Sequence, residues 1–245
     1  MDNNYLKLGS KPSTKYRIIC ITHSGAYASQ YAVLQKYLPD DVECIIYERP
    51  GSGARIGEKF CPNWETLIQD AVKSIEMHLD LPYIIFGHSL GGSIAFEVIK
   101  ELEKLNKATS KYLAIGDREA PNYPPDRMRH HLSDEDFGQM LINDYGMDEN
   151  IVANSDIMEL FLPVLKHDFQ LADTYFAKYG QVADKIKTNV VVFRPHESND
   201  TLQSQLDWQN FSIGNFKLVD VPGDHFFVLK QTEYFMKQLL QLFTV

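Results

Sequence analysis

The feature that most constrains this chain is one turn: Phe86-Gly87-His88-Ser89-Leu90-Gly91-Gly92, lying between an apolar run and a helical stripe. Tyr83–Gly87 before it is short and apolar, as a buried strand is, and Ile94, Ala95, Val98, Ile99, Leu102 and Leu105 after it repeat at helical spacing. A strand that enters a helix through G-x-S-x-G must bring two backbones nearly into contact, so the positions two residues either side of the serine have to be small. The serine is then forced into a strained conformation, with its hydroxyl projecting beyond the strand's carboxyl end. Ser89 is therefore the candidate nucleophile.

The rest of the chain repeats the same alternation. Arg17–Thr22, Val42–Tyr47, Tyr112–Gly116, Val190–Phe193 and Phe216–Val221 are short, apolar and rich in β-branched residues, which predicts parallel strands buried on both faces. Trp64, Leu67, Ile68, Ala71, Val72, Ile75 and Leu79 form a helical stripe, and a final helix is predicted over about Thr232–Phe243. Strands alternating with helices imply an α/β class, with a mostly parallel, doubly wound sheet and right-handed crossovers. Over 132–187 the alternation stops. Only helical patterns are legible there, such as Asp136–Leu141 and Ile157–Phe176, broken at Gly146 and Pro163, and an insertion of that length predicts a helical lid. Ala120–Pro125 (APNYPP) reads as a hinge leading into it. The expected organisation is one domain over 1–245 with the lid inserted within it.

Composition excludes function classes more than it suggests one. The 245 residues carry 24 Lys+Arg against 33 Asp+Glu, a formal charge of −9, which argues against nucleic acid or an anionic membrane as partner. Cys20, Cys44 and Cys61 lack C-x-x-C spacing and fit buried thiols in a reducing compartment. Residues 1–10 are polar without the apolar core of a signal peptide, and no run approaches the length of a membrane helix. A cytoplasmic monomer is expected.

A serine hydroxyl needs a base, and in this architecture the histidine comes last in the chain. His225 lies in Val221-Pro222-Gly223-Asp224-His225-Phe226-Phe227, after the last strand and before the last helix, which puts it at the carboxyl end of the sheet. His88 reads as a structural neighbour of the nucleophile, and the remaining histidines as surface or packing residues. Two loops offer the acid that would orient the base. Asp117 directly follows Tyr112–Gly116, 28 residues after Ser89, while Glu197 and Asp200 follow Val190–Phe193. Asp117 requires the fewer assumptions. For an oxyanion hole, the backbone N–H of Leu90 follows the nucleophile, and that of Ser24, in His23-Ser24-Gly25-Ala26, follows the first strong strand.

Taken together, these segments resemble the type II thioesterases, the stand-alone α/β-hydrolases associated with nonribosomal peptide and polyketide synthases, over nearly the whole chain. His23-Ser24-Gly25-Ala26 stands where that family has P-H-A-G-G, and Pro50-Gly51-Ser52-Gly53-Ala54-Arg55 resembles its P-G-x-G-x-R. Gly87–Gly92 matches G-H-S-x-G-G, Leu132-Ser133-Asp134-Glu135-Asp136-Phe137 the start of its lid, and 161–169 (FLPVLKHDF) its F-L-P-x-x-R-x-D-F. Gly223–Phe227 matches G-G-H-F-F. The departure falls on the acid: the family's G-x-D-D loop is replaced by 195–200 (PHESND), and Asp117 stands where the family usually has a small residue. The acid is therefore expected to have moved to Asp117, with Asp200 and Glu197 as alternatives.

The resemblance implies a substrate acyl or peptidyl group held as a thioester on the phosphopantetheine arm of a carrier protein, with neither metal nor cofactor required. It implies an apolar lid wall, for which Phe137, Met140, Leu141, Phe161, Leu162 and Phe169 are candidates, and a carrier contact among Arg127-Met128-Arg129-His130-His131, chiefly Arg127 and Arg129. Editing hydrolysis is the leading expectation. Release by transfer or cyclisation is the second, and a noncatalytic carrier-binding module the third.

Overall fold

The computed structural model describes residues 3–180 and 184–244, so positions 181–183 of the expected insertion, and 1, 2 and 245 of the expected single domain, lie outside the described residues. The chain divides into two compact units, one of 1–120 with 182–245 and one of 121–181. The second unit thus starts at Pro121, inside the Pro-rich segment rather than at 132. Residues 184–187 go with the sheet, where Ile186 bridges to Ser212.

The first unit is a seven-stranded sheet. Its strands are β1 (Tyr5–Leu8), β2 (Tyr16–Ile21), β3 (Val42–Tyr47), β4 (Tyr83–His88), β5 (Tyr112–Gly116), β6 (Asn189–Pro195) and β7 (Phe216–Val221), in spatial order β1-β3-β2-β4-β5-β6-β7. Every pairing is parallel except that of β1 with β3. Six strands follow the sequence reading to within two residues at either end. The edge strand β1 was not foreseen, being only four residues long, interrupted by exposed Lys7 and lacking an apolar run.

Ile18, Cys20, Ile46, Ile84, Phe86, Ala114, Val191 and Phe193 lie in one core cluster with Phe235, Met236 and Leu239. The alternate positions Ile19, Ile45, Ile85, Leu113, Ile115 and Val192 are equally buried. Burial on both faces is why these strands read as continuous apolar runs. Helices α1 (Trp64–Ile75) and α2 (Leu90–Lys104) pack against each other and against the strands, and Asn63 caps α1 by accepting the Thr66 N–H. The β2–β3 connection is a 3₁₀ segment, Ala28–Tyr37. All three cysteines are buried free thiols, and burial pushes that of Cys61 up to about 11.

The second unit is helical: α3 (Asp134–Tyr145), α4 (Glu149–Val152) and α5 (Ser155–Tyr175), with N-caps Ser133, Asp148 and Asn154. Gly146 ends α3 in the left-handed conformation (φ 63°), as a C-terminal glycine does. Pro163 does not break α5. It sits inside a continuous helix on the solvent side, where both Pro163 and Glu159, the residue whose carbonyl loses its helical donor, are exposed. The chain returns to the sheet unit and closes through α6 (Leu202–Leu206), α7 (Phe227–Lys230) and α8 (Thr232–Gln241). Among the described residues, no helix is long and apolar enough to cross a membrane, and no cluster of ligating side chains could hold a metal ion.

Candidate active site

At the end of β4 the backbone turns sharply at Ser89, with φ 55° and ψ −120°. A non-glycine residue adopts this conformation only where its surroundings enforce it, and here two glycines do so. A Cβ on Gly87 would sit 2.1 Å from the Gly91 carbonyl oxygen, and one on Gly91 would sit 2.3 Å from that of Ile21. The second approach also brings the end of β2, and hence the loop after it, against the first turn of α2. The Ser89 N–H donates to the Gly116 carbonyl at 2.8 Å, tying the turn to the carboxyl end of β5. Leu90 is the first residue of α2, where main-chain N–H groups have no partner within the helix.

The loop 23–26 is held from the inside by Arg49, which is buried. Its Nη1 donates to the Thr22 carbonyl and Oγ1, and its Nη2 to the carbonyls of His23 (3.1 Å) and Ala26 (3.0 Å). The Ala26 N–H closes a turn onto the His23 carbonyl, and Gly25 takes φ 75°. Ser24 lies within this loop, half-buried.

Asp117 is the next residue after β5. It has φ 44°, its N–H bonds the Phe193 carbonyl at 3.0 Å, and its side chain is buried. Three donors converge on the carboxylate: His225 Nδ1 on Oδ2 at 2.7 Å, and Gln205 Nε2 (2.8 Å) and Ser198 Oγ on Oδ1. With Nδ1–H committed to Asp117, the neutral His225 ring has Nε2 as its basic nitrogen.

The other two candidate acids are placed differently. Asp200 is partly buried behind the pair, with its N–H on Ser198 Oγ. Burial first and the Asp117 charge second push its carboxyl up, against the opposing pull of Arg118 and His225. Glu197 is exposed and bonds Gly223 only through its backbone. Of the three carboxylates the structure brings Asp117 to His225, and Ser198, in the loop after β6, donates to Asp117.

Sequence reasoning missed several contributors. Arg49, Ser198 and Gln205 carry no local signal, since their partners are up to 88 positions away. His88 is fully buried and bonds both Tyr31 OH and the His225 carbonyl, so it is more than a neighbour of the serine.

The six lid residues pack on one another. Phe137, Met140, Leu141 and Phe169 form the second unit's own core, with Phe161 and Leu162 packed against it. Their burial is accounted for by one another, because a unit of this size needs a core of its own. Arg129, the other expected carrier contact, pairs with fully buried Asp173, donates to Tyr145 OH and stacks on Phe169 at 5.0 Å. Arg127 is exposed and paired with Asp144.

Comparison with known proteins bears on the whole chain. The family model described as a thioesterase domain matches residues 16–242. The gramicidin S biosynthesis protein GrsT of Aneurinibacillus migulanus is 27% identical over 93% of this chain and 90% of its own. Thioesterase PikA5 of Streptomyces venezuelae is 28% identical, over 90% and 78%. Among solved structures, ClbQ from the colibactin NRPS/PKS pathway superposes with a TM-score of 0.86 at 25% identity, over 94% of this chain and 98% of that one.

Proposed function

The chain belongs to the thioesterase domain family and has its α/β-hydrolase fold, and from that premise we propose that it hydrolyses acyl or peptidyl thioesters carried on the phosphopantetheine arm of a carrier protein, through Ser89, His225 and Asp117. The observation that carries the reading is the 2.7 Å contact between His225 Nδ1 and Asp117 Oδ2, one residue beyond the carbonyl that anchors the Ser89 turn. The pathways named for its relatives, gramicidin S and colibactin, support a carrier-bound substrate and an editing role in a biosynthetic assembly line.

In this reading His225 Nε2 takes the Ser89 Oγ proton as the oxygen attacks the thioester carbonyl. The resulting oxyanion is held by the main-chain N–H groups of Leu90 and Ser24. The C–S bond breaks, His225 returns the proton to the departing sulfur, and the acyl group remains on Ser89. Water then attacks that ester with His225 again as base, giving the free acid and restoring the serine. Asp117 holds the imidazole tautomer and stabilises the imidazolium at each step. Arg127 is the cation the hinge cluster offers to an acidic carrier, Arg129 being committed to Asp173.

The test is discharge of an acyl-loaded carrier protein to free acid. Wild type should release it, and Ser89→Ala should lower the rate by at least ~10³-fold while still binding the carrier. Equal discharge by both would overturn the reading. A cyclic or transferred product would reassign the second half-reaction only.

A further inference from the structure

Behind the candidate site lies a chain of rings, buried at Tyr31 and His88 and half-buried at His23, that the reaction as written does not use. His23 Nδ1 is 2.6 Å from Tyr31 OH, Tyr31 OH is 2.7 Å from His88 Nδ1, and His88 Nε2 is 2.7 Å from the main-chain oxygen of His225. We infer that these groups form a one-way hydrogen-bond relay in which Tyr31 and His88 are positioning residues, locking the loop that carries the base to the loop that carries an oxyanion donor. The inference rests on the proposed roles of His225 and the 23–26 loop.

The direction of the relay follows from its last member. A carbonyl oxygen can only accept, so His88 must present Nε2–H. In a neutral imidazole Nδ1 is then an acceptor, which requires Tyr31 to donate its hydroxyl proton to it. The Tyr31 oxygen keeps its lone pairs, and His23 Nδ1–H donates into one of them. Every group is satisfied in one arrangement only. A charged His88 would have no lone pair for the Tyr31 proton, and burial, with the His23 and His225 rings nearby, holds its pKa well below the usual imidazole value.

His225 is thereby held at two points, its ring through Nδ1 on Asp117 and its backbone through the carbonyl on His88. At the other end of the relay, His23 belongs to the loop whose carbonyls Arg49 grips. A ring tethered at Nδ1 alone could pivot and carry Nε2 off line. Because an error of ~1 Å in a catalytic group can cost on the order of 100-fold in rate, the effect should fall on kcat and not on KM.

The probe is the butyryl thioester of N-acetylcysteamine, which needs no carrier. Tyr31→Phe keeps the buried ring and removes the hydroxyl, and should lower kcat by ~10- to 100-fold with KM within about 2-fold. His88→Leu should lose as much, whereas His88→Gln, whose amide can stand in for Nε2–H, should recover most of the loss. A folded Tyr31→Phe with wild-type kcat, or a His88→Gln as slow as His88→Leu, would overturn the relay. Independently of any variant, ¹⁵N spectra of the histidine rings should find His88 neutral with its proton on Nε2 and His23 protonated on Nδ1. The opposite tautomer at His88 would also sink it. His225→Ala separates the two proposals: if it retains turnover, the proposed function fails whatever Tyr31→Phe does, and if it abolishes turnover while folded Tyr31→Phe does not lower it, only the relay fails.

Discussion

Among the described residues, two Asp–His contacts of nearly equal and short length stand one in each unit, and their surroundings differ. In the sheet unit His225 Nδ1 meets Asp117 at 2.7 Å, and in the helical unit His130 Nδ1 meets Asp173 at 2.8 Å. Both carboxylates are buried and both accept further hydrogen bonds. They differ in what else they accept. The further donors to Asp117, the Ser198 hydroxyl and the Gln205 amide, are both neutral, so neither brings a positive charge to the carboxylate. Asp173 also takes the Arg129 guanidinium and the His130 backbone N–H, so its charge is already balanced and it ties residues 129–131 to α5. A buried Asp–His pair therefore does not by itself mark a site. The two pairs differ in that Asp117 has only neutral further donors and follows the strand whose end anchors the strained Ser89 turn, whereas Asp173 also holds a guanidinium.

The comparison can be broken most directly by neutralising each carboxylate in turn. Asp117→Asn should lower turnover of a small thioester by ~10³- to 10⁴-fold, as loss of the orienting acid does in serine hydrolases, while Asp200→Asn and Glu197→Gln change it by no more than several-fold. Steady-state kinetics on the three variants decides this, and a large loss at Asp200 with little at Asp117 would reassign the acid. Asp173→Asn should show the converse profile. It strands the Arg129 charge, which costs about 3–5 kcal/mol when a buried pair is broken. Faster amide exchange at 129–131 and along the end of α5 should report that loss, with turnover far less affected than by Asp117→Asn.

The smallest effect is a pH dependence. Burial and the Asp117 charge raise the Asp200 carboxyl in the folded state, so ionising it opposes folding. The penalty is absent below the ordinary carboxylate range, where Asp200 is protonated in both states. It builds as the pH rises from that range through the raised value, and it is constant above. Asp200→Asn should therefore unfold like wild type in acid and be the more stable protein at neutral pH. Urea titrations at the two pH values test this, and equal stability at both would show that the charge costs nothing where it stands.

Much of the sheet unit was legible in the sequence because its strands are buried on both faces and its sharpest turn is chemically unforgiving. Gly87, Ser89 and Gly91 can be read together, since each excludes nearly every alternative residue. The placement of Asp117 was legible because it directly follows a strand. Ser198, Gln205, Tyr31 and Arg49 were not, because each acts through a partner distant in sequence and none breaks a local pattern. The helical unit misled in a different way. An amphipathic stripe shows that Phe137, Met140 and Phe169 are buried without saying against what, and they are buried against one another. The Pro-rich segment marked the unit's start better than the first helical pattern did, and Pro163 read as a break where a solvent-facing helix side tolerates it.

The origin of Asp117 on β5 has a consequence for how such a chain can diversify. Ser89 and Asp117 directly follow adjacent paired strands and both precede the helical segment. With the acid on β6, nucleophile and acid would be separated in the chain by every insertion or deletion that segment undergoes. Here the segment can lengthen or shorten without altering the stretch of chain from Ser89 to Asp117, so the two candidate residues keep their spacing whatever happens beyond Pro121.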